Sequence, residues 1–155
     1  MDAQSPQSFA ALVPGASGLP AELVAAIERG AVHRNVAPGT VLIRQHDVVR
    51  ELVVLVAGQL TTLVAFSGVG DLAVETADRP GRIFGWSGLR PPRRATATVR
   101  ADGAGEVIVV PIEPLTSDRP RWIAALCGLV AAELADRTVD IATRRSERDN
   151  GGGDA

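Results

Sequence analysis

The chain has 155 residues, a formal net charge of −2 and 46% hydrophobic residues. That is enough for one domain with a real core, and too apolar for a disordered chain. One cysteine, Cys127, excludes a disulfide framework within the chain and any cysteine-based zinc site, and two histidines, His33 and His46, leave little for a metal cage. A near-neutral charge balance gives no general attraction to nucleic acid or anionic lipid. No basic region followed by an apolar one opens the sequence, and the longest uncharged apolar stretch, Trp122 to Ala132, is short of the roughly 18 residues a membrane span needs. The expectation is a cytoplasmic protein with no membrane association.

In chain order, residues 1–18 are rich in Ala, Ser, Pro, Gln and Gly and read as a flexible leader with Phe9, Leu12 and Val13 as candidate docking residues. A short helix follows, Pro20 to Arg29, with Pro20 suited to its first position and Gly30 to a left-handed stop. From Val32 to Pro111 the periodicity becomes two. Val41 and Ile43 alternate with Leu42 and Arg44. Leu52 to Val56 is continuously apolar. Leu60, Thr62, Val64 and Phe66 alternate with Thr61, Leu63 and Ala65, and Leu72 and Val74 start another run. Ala95, Ala97, Val99 and Ala101 alternate with Thr96, Thr98 and Arg100, and Val107 to Val110 closes the series. Turn signals such as Pro38-Gly39, Ala57-Gly58, Pro80-Gly81 and Asp102-Gly103 separate the runs. Short strands at this spacing predict an antiparallel sandwich or barrel.

The last element is a long helix, about Pro120 to Arg148. Ile123, Leu126/Cys127, Val130, Leu134, Val139 and Ile141 form one apolar stripe, and Trp122, Leu129 and Ala132 a second. Two stripes ask for two surfaces: the barrel, and a second copy of the helix in a homodimer. The alternative is that both fold back onto the barrel. Cys127 reads as a buried thiol and Trp122 as a packing anchor. Residues 149–155 read as a disordered tail, which leaves 19–148 as the domain.

Several segments resemble a known family in order. Val36-Ala37-Pro38-Gly39-Thr40-Val41-Leu42 through His46-Asp47 is similar to an opening hairpin of the form V-x-x-G-x-x-L-x-x-x-G-D. Leu52-Val53-Val54-Leu55-Val56-Ala57-Gly58-Gln59-Leu60 is similar to L-Y-V-V-x-x-G-x-V, and Pro80-Gly81-Arg82-Ile83-Phe84-Gly85 to P-G-x-x-F-G. Ala97-Thr98-Val99-Arg100-Ala101 is similar to the strand that ends a phosphate cassette. Together they resemble the cyclic nucleotide-binding domain of catabolite activator proteins and of regulatory subunits of cyclic-nucleotide-dependent kinases. The resemblance covers about residues 20–145. It implies a mainly β fold, a jelly roll with a short N-terminal helix and a long C-terminal one, and a non-enzymatic regulatory or sensor role.

The resemblance also implies a ligand site, cyclic AMP or cyclic GMP held by Phe84, Gly85, Trp86, Ser87, Gly88, Leu89, Arg94, Ala95 and Thr96, with the long helix signalling to a protein partner. The sequence departs from the family pattern at two of these positions. Where the family has a Glu that accepts from the ribose 2′-hydroxyl, this chain has Trp86, whose indole only donates. The phosphate Arg position falls on Ala95, with Arg94 one residue off, and a one-residue shift in a strand reverses the side-chain face. Regular pairing that starts only after Ala95 would bring Arg94 inward. The other reading is a ligand-free domain acting as a dimerisation or interaction scaffold. Family transcription factors carry a helix-turn-helix domain after the long helix; here about seven residues follow it, so DNA binding by this chain alone is not expected. His33 and His46 lie on different hairpins, against a metal enzyme, and Gly85-Trp86-Ser87-Gly88 lacks the spacing of a nucleophile elbow.

Overall fold

The computed structural model describes residues 6–117 and 119–150. Eight strands form two four-stranded sheets among these residues. The strands are β1 (Val32–Val36), β2 (Val41–Ile43), β3 (Glu51–Ala57), β4 (Leu60–Phe66), β5 (Gly70–Ala77), β6 (Ile83–Phe84), β7 (Thr98–Ala101) and β8 (Gly105–Pro111). One sheet has the order β1-β8-β3-β6 and the other β2-β7-β4-β5, with every pairing antiparallel. The helices are α1 (Phe9–Leu12), α2 (Ala21–Gly30), α3 (Glu113–Thr116) and α4 (Pro120–Asn150). The architecture is the expected jelly roll with flanking helices. No described helix is long and apolar enough to cross a membrane.

The central strands β3 and β8 of the first sheet are buried on both faces, which explains their uninterrupted apolar runs, whereas the edge strand β1 is mostly exposed. On β3, Leu52 and Val54 face a cluster with Leu23, Ile27, Leu115 and Leu126 from the helices, while Val53 and Leu55 face the interior of the roll with Leu60, Val99 and Ala101. β8 divides likewise, Ile108 and Val110 toward the helices and Val107 and Val109 toward the interior. The second sheet lies on the far side of that interior. Its hairpin β4–β5 leaves Phe66, Leu72 and Val74 exposed.

The leader expected over residues 1–18 is revised from Phe9 onward; residues 1–5 lie outside the described residues. Ser8 caps α1 by accepting from the Ala11 amide, and Phe9, Val13 and Ala16 are buried in the helix-side cluster. Gly81, at φ +90°, lies against the Leu12 carbonyl where a Cβ would collide, so the loop after β5 also closes onto this segment. Glu28 of α2 accepts from the Ala10 amide. The helix α2 differs at its ends: Pro20 caps it from outside, and Gly30 is its last helical residue without a left-handed φ. The expected tail is helical backbone at positions 149–150, and positions 151–155 lie outside the described residues.

The helix α4 also corrects the sequence reading. Trp122, Leu126 and Leu129 form the buried stripe, and Arg119 covers the Trp122 ring at 4.2 Å. The other expected stripe faces outward from Cys127: the thiol is exposed, not buried, and Leu134, Val139 and Ile141 are exposed. Ala132 is exposed as well.

Phe9→Ala removes a ring that is 1% exposed. It should lower unfolding free energy by roughly 3–5 kcal/mol in urea titration. A loss below about 1 kcal/mol would show that α1 does not pack on the core.

Candidate functional site

The cassette segment leaves β6 through Gly85, whose φ of +94° is left-handed and whose Cβ position would meet the Glu51 carbonyl at 2.6 Å. Only glycine fits both demands. The chain then makes a 3₁₀ turn, Trp86–Leu89, closed by a bond from the Gly88 amide to the Gly85 carbonyl. Gly88 is packed under Val49 and Ile112, where a Cβ would again collide. Leu89 and Ala95 are buried in the helix-side cluster, and Phe84 in the interior of the roll. Ser87 is half-buried and Thr96 exposed.

Regular pairing on the return strand starts only at Thr98, not at Ala95, apart from one isolated bridge between Val48 and Arg94. Arg94 does not turn inward as a result. It is exposed, and its Nη1 donates to the His46 carbonyl at 3.0 Å. Ala95, at the family's phosphate position, pairs by its backbone with Asp47 and His46 and points into the core. His46 has a φ of +75°, the left-handed geometry that histidine tolerates in place of glycine. His33 lies elsewhere, 3.0 Å from Glu106.

Trp86 is half-buried and turned toward α4. Its indole Nε1 donates to Glu133 Oε2 at 3.1 Å. Glu133 Oε1 accepts from the Ile83 amide at 3.2 Å, and Arg137 donates to the Ile83 carbonyl. Since β6 is the edge of its sheet, α4 side chains supply the partners that a neighbouring strand would have given. Arg137 also lies 4.7 Å over the Phe84 ring and 3.7 Å from Glu75 of β5. Its Nε is 3.0 Å from Glu133 but not aimed at it, so that contact is ionic and the Nε–H has no hydrogen-bond partner among the described residues. Arg82 is buried and pairs with Asp140 and Glu133. Glu133, Arg137 and Asp140 thus fasten the helix across the gap between the β6 and β5 edges.

Sequence reasoning missed this cluster. Its signal was present: positions 133, 137 and 140 continue the 3–4 spacing of Trp122, Leu126 and Leu129 on one helix face, with charge replacing apolar residues.

A cleft of about 820 Å³ opens beside the cassette. Trp86, Leu89, Ala95, Cys127, Val130 and Leu134 give it an apolar wall, and His46, Ser87, Thr96, Arg90, Arg93 and Arg94 its polar side. Three arginines and no carboxylate line it. Of the nine expected site residues, the cleft gathers Trp86, Ser87, Leu89, Arg94, Ala95 and Thr96 and leaves out Phe84, Gly85 and Gly88, which build the strand and turn behind it.

Residues 33–117 match the sequence family described as the cyclic nucleotide-binding domain, over more than half of the chain. No curated protein matches the sequence. Among solved structures, a protein from Geobacter metallireducens GS-15 named for cyclic nucleotide binding superposes with a TM-score of 0.68 at 23% identity, covering 79% of this chain and 89% of that one. A cyclic nucleotide-binding domain from Methylobacillus flagellatus KT gives 0.65 at 14% identity, covering 82% and 72%. The catabolite activator protein of Thermus thermophilus gives 0.61 at 19% identity; the match covers 83% of this chain but only 61% of that protein. At these identities the structural likeness establishes the fold, and the sequence match establishes the membership. The chain belongs to the cyclic nucleotide-binding domain family.

Proposed function

We propose that this chain is a non-enzymatic sensor module that takes a cyclic nucleotide, cyclic AMP or cyclic GMP, in the cleft between the cassette turn and α4. The observation that carries the reading is the charge of that cleft: three arginines and no carboxylate, beside an apolar wall. An anionic phosphate suits the arginine side and a planar base the wall of Trp86, Val130 and Leu134. Recognition would differ from the family pattern. Ala95 supplies no charge, so Arg93 and Arg94 at the rim take the phosphate. Trp86 offers no acceptor to the ribose while its indole N–H is engaged with Glu133.

That bond is the route to a signal. A ligand against Trp86 competes with, or reinforces, the contact that holds α4. The helix position is then biased by whatever differential contact the ligand makes. A protein partner reading α4 would receive the change. Cys127, Leu134 and Ile141 recur every seven residues on the exposed side of α4, a spacing that suits a seam with the same helix of a second copy.

A second reading is favoured by one observation, the burial of Ala95 at the phosphate position. In it the pocket binds no nucleotide and the domain serves as a dimerisation or protein-interaction scaffold.

Thermal melting separates the two. Cyclic AMP or cyclic GMP at a hundred times its dissociation constant should stabilise the fold by about 2.7 kcal/mol. Arg93→Ala with Arg94→Ala should weaken that affinity roughly ten- to hundred-fold, the worth of a charge-assisted bond. No melting shift with either nucleotide at millimolar concentration overturns the sensor reading in favour of the scaffold. Sedimentation equilibrium tests the seam: twice the chain mass is expected, with Leu134→Asp returning the single-chain mass. A monomeric parent chain would contradict it.

A further inference from the structure

A second cleft lies away from the cassette, between β5 and the C-terminal half of α4, with a volume of about 440 Å³. β5 is the outer strand of its sheet, so one of its edges has no strand beside it. Every residue from Ala73 to Asp78 lines the cleft. A cleft on the face of a strand would be lined by alternate residues, so this one runs along the edge, where alternate amides and carbonyls point outward. β5 has its described backbone pairing with β4 alone.

The opposite wall is basic. Five arginines line the cleft, Arg79, Arg82, Arg144, Arg145 and Arg148, against three carboxylates. Each carboxylate is already engaged: Glu75 with Arg137, Asp78 with Arg144, and Asp140 with Arg82 and Arg79. Arg82 is buried against Glu133 and Asp140, which leaves a surplus of guanidinium at Arg145 and Arg148 on the helix wall.

A strand edge facing a row of arginines has the features of a site for an extended acidic peptide. We infer that an acidic segment of a partner protein adds to β5 as a fifth strand of the β2-β7-β4-β5 sheet, its backbone on the β5 edge and its carboxylates on Arg145 and Arg148. Main-chain bonds give such a peptide its affinity, and the guanidinium row its choice of charge. The site is independent of the cassette and does not depend on nucleotide binding.

The test uses the full chain and a fluorescent peptide of alternating Glu and Val. Binding is expected, weakening as salt is raised, with amide chemical-shift changes concentrated in residues 72–78. The same peptide with Lys for Glu should not bind. N-methylation of alternate peptide amides removes strand pairing without changing charge; one of the two alternating sets should abolish binding and the other should not. Arg145→Glu with Arg148→Glu should lower affinity at least roughly tenfold. Should the reversed charges unfold that variant, Arg145→Gln with Arg148→Gln, which removes the charges without reversing them, should still lower it several-fold. Equal binding of either N-methylated peptide overturns strand addition. Inorganic phosphate displacing the peptide at equal concentration reduces the site to a simple anion cleft and overturns the peptide proposal, and tighter binding of duplex DNA overturns it in favour of nucleic acid.

Discussion

The arrangement of this protein depends on how α4 is held over the open side of the β roll. A jelly roll built from two four-stranded sheets leaves edges, and here the edges of β6 and β5 come to the same side of the molecule. Buried backbone groups at an edge need partners. Glu133 and Arg137 give Ile83 its partners, and the same two side chains reach Trp86, Glu75 and Arg82. Carboxylates and guanidinium groups held at such low exposure are tolerable only because each is paired. The helix is therefore positioned by directional contacts in its second half and by apolar packing of Trp122, Leu126 and Leu129 in its first.

This division holds the two halves of α4 by different forces. Packing through Leu126 and Leu129 resists sliding because the core around them is close-packed. The polar half is held through shared partners, with Glu133 alone serving Ile83, Trp86, Arg82 and Arg137. Anything that engages Trp86 acts on that carboxylate. In the family pattern the cassette itself carries an acid at this position. Here the acid stands on the helix, so a direct bond joins Trp86 of the cassette to α4, beside the contact of Arg137 with the Phe84 ring.

Much of the fold was legible in the sequence. The continuous run Leu52–Val56 announced a strand covered on both faces, and glycines at positions 39, 58 and 81 marked reversals where the structure has positive φ. The docking of Phe9 was legible only as a candidate, because a single aromatic in a polar, proline-containing segment has the same local appearance whether or not a distant cluster receives it. The stripes of α4 were divided wrongly for a related reason: Leu126, grouped with Cys127, packs with Trp122 and Leu129. Apolar residues alone define a stripe in the sequence, yet the buried face turns charged after Leu129, and the exposed face stays apolar at Leu134 and Ile141. The cassette was legible as backbone, through Phe84-Gly85 and Gly88, and less so as chemistry. Burial of Ala95 and the outward turn of Arg94 are set by the backbone bonds of Ala95 with His46 and Asp47, formed ahead of the regular strand at Thr98, and alternating Ala and Thr do not mark that pairing.

The most direct measurement is the indole N–H resonance of Trp86 followed by NMR as cyclic AMP, and separately cyclic GMP, is added to the full chain. The account predicts a saturable shift of that resonance with at least one nucleotide, accompanied by shifts of the Ile83 and Glu133 amides, while the indole of Trp122 stays in place. A Trp86 resonance unmoved at saturating concentrations of both nucleotides would contradict it.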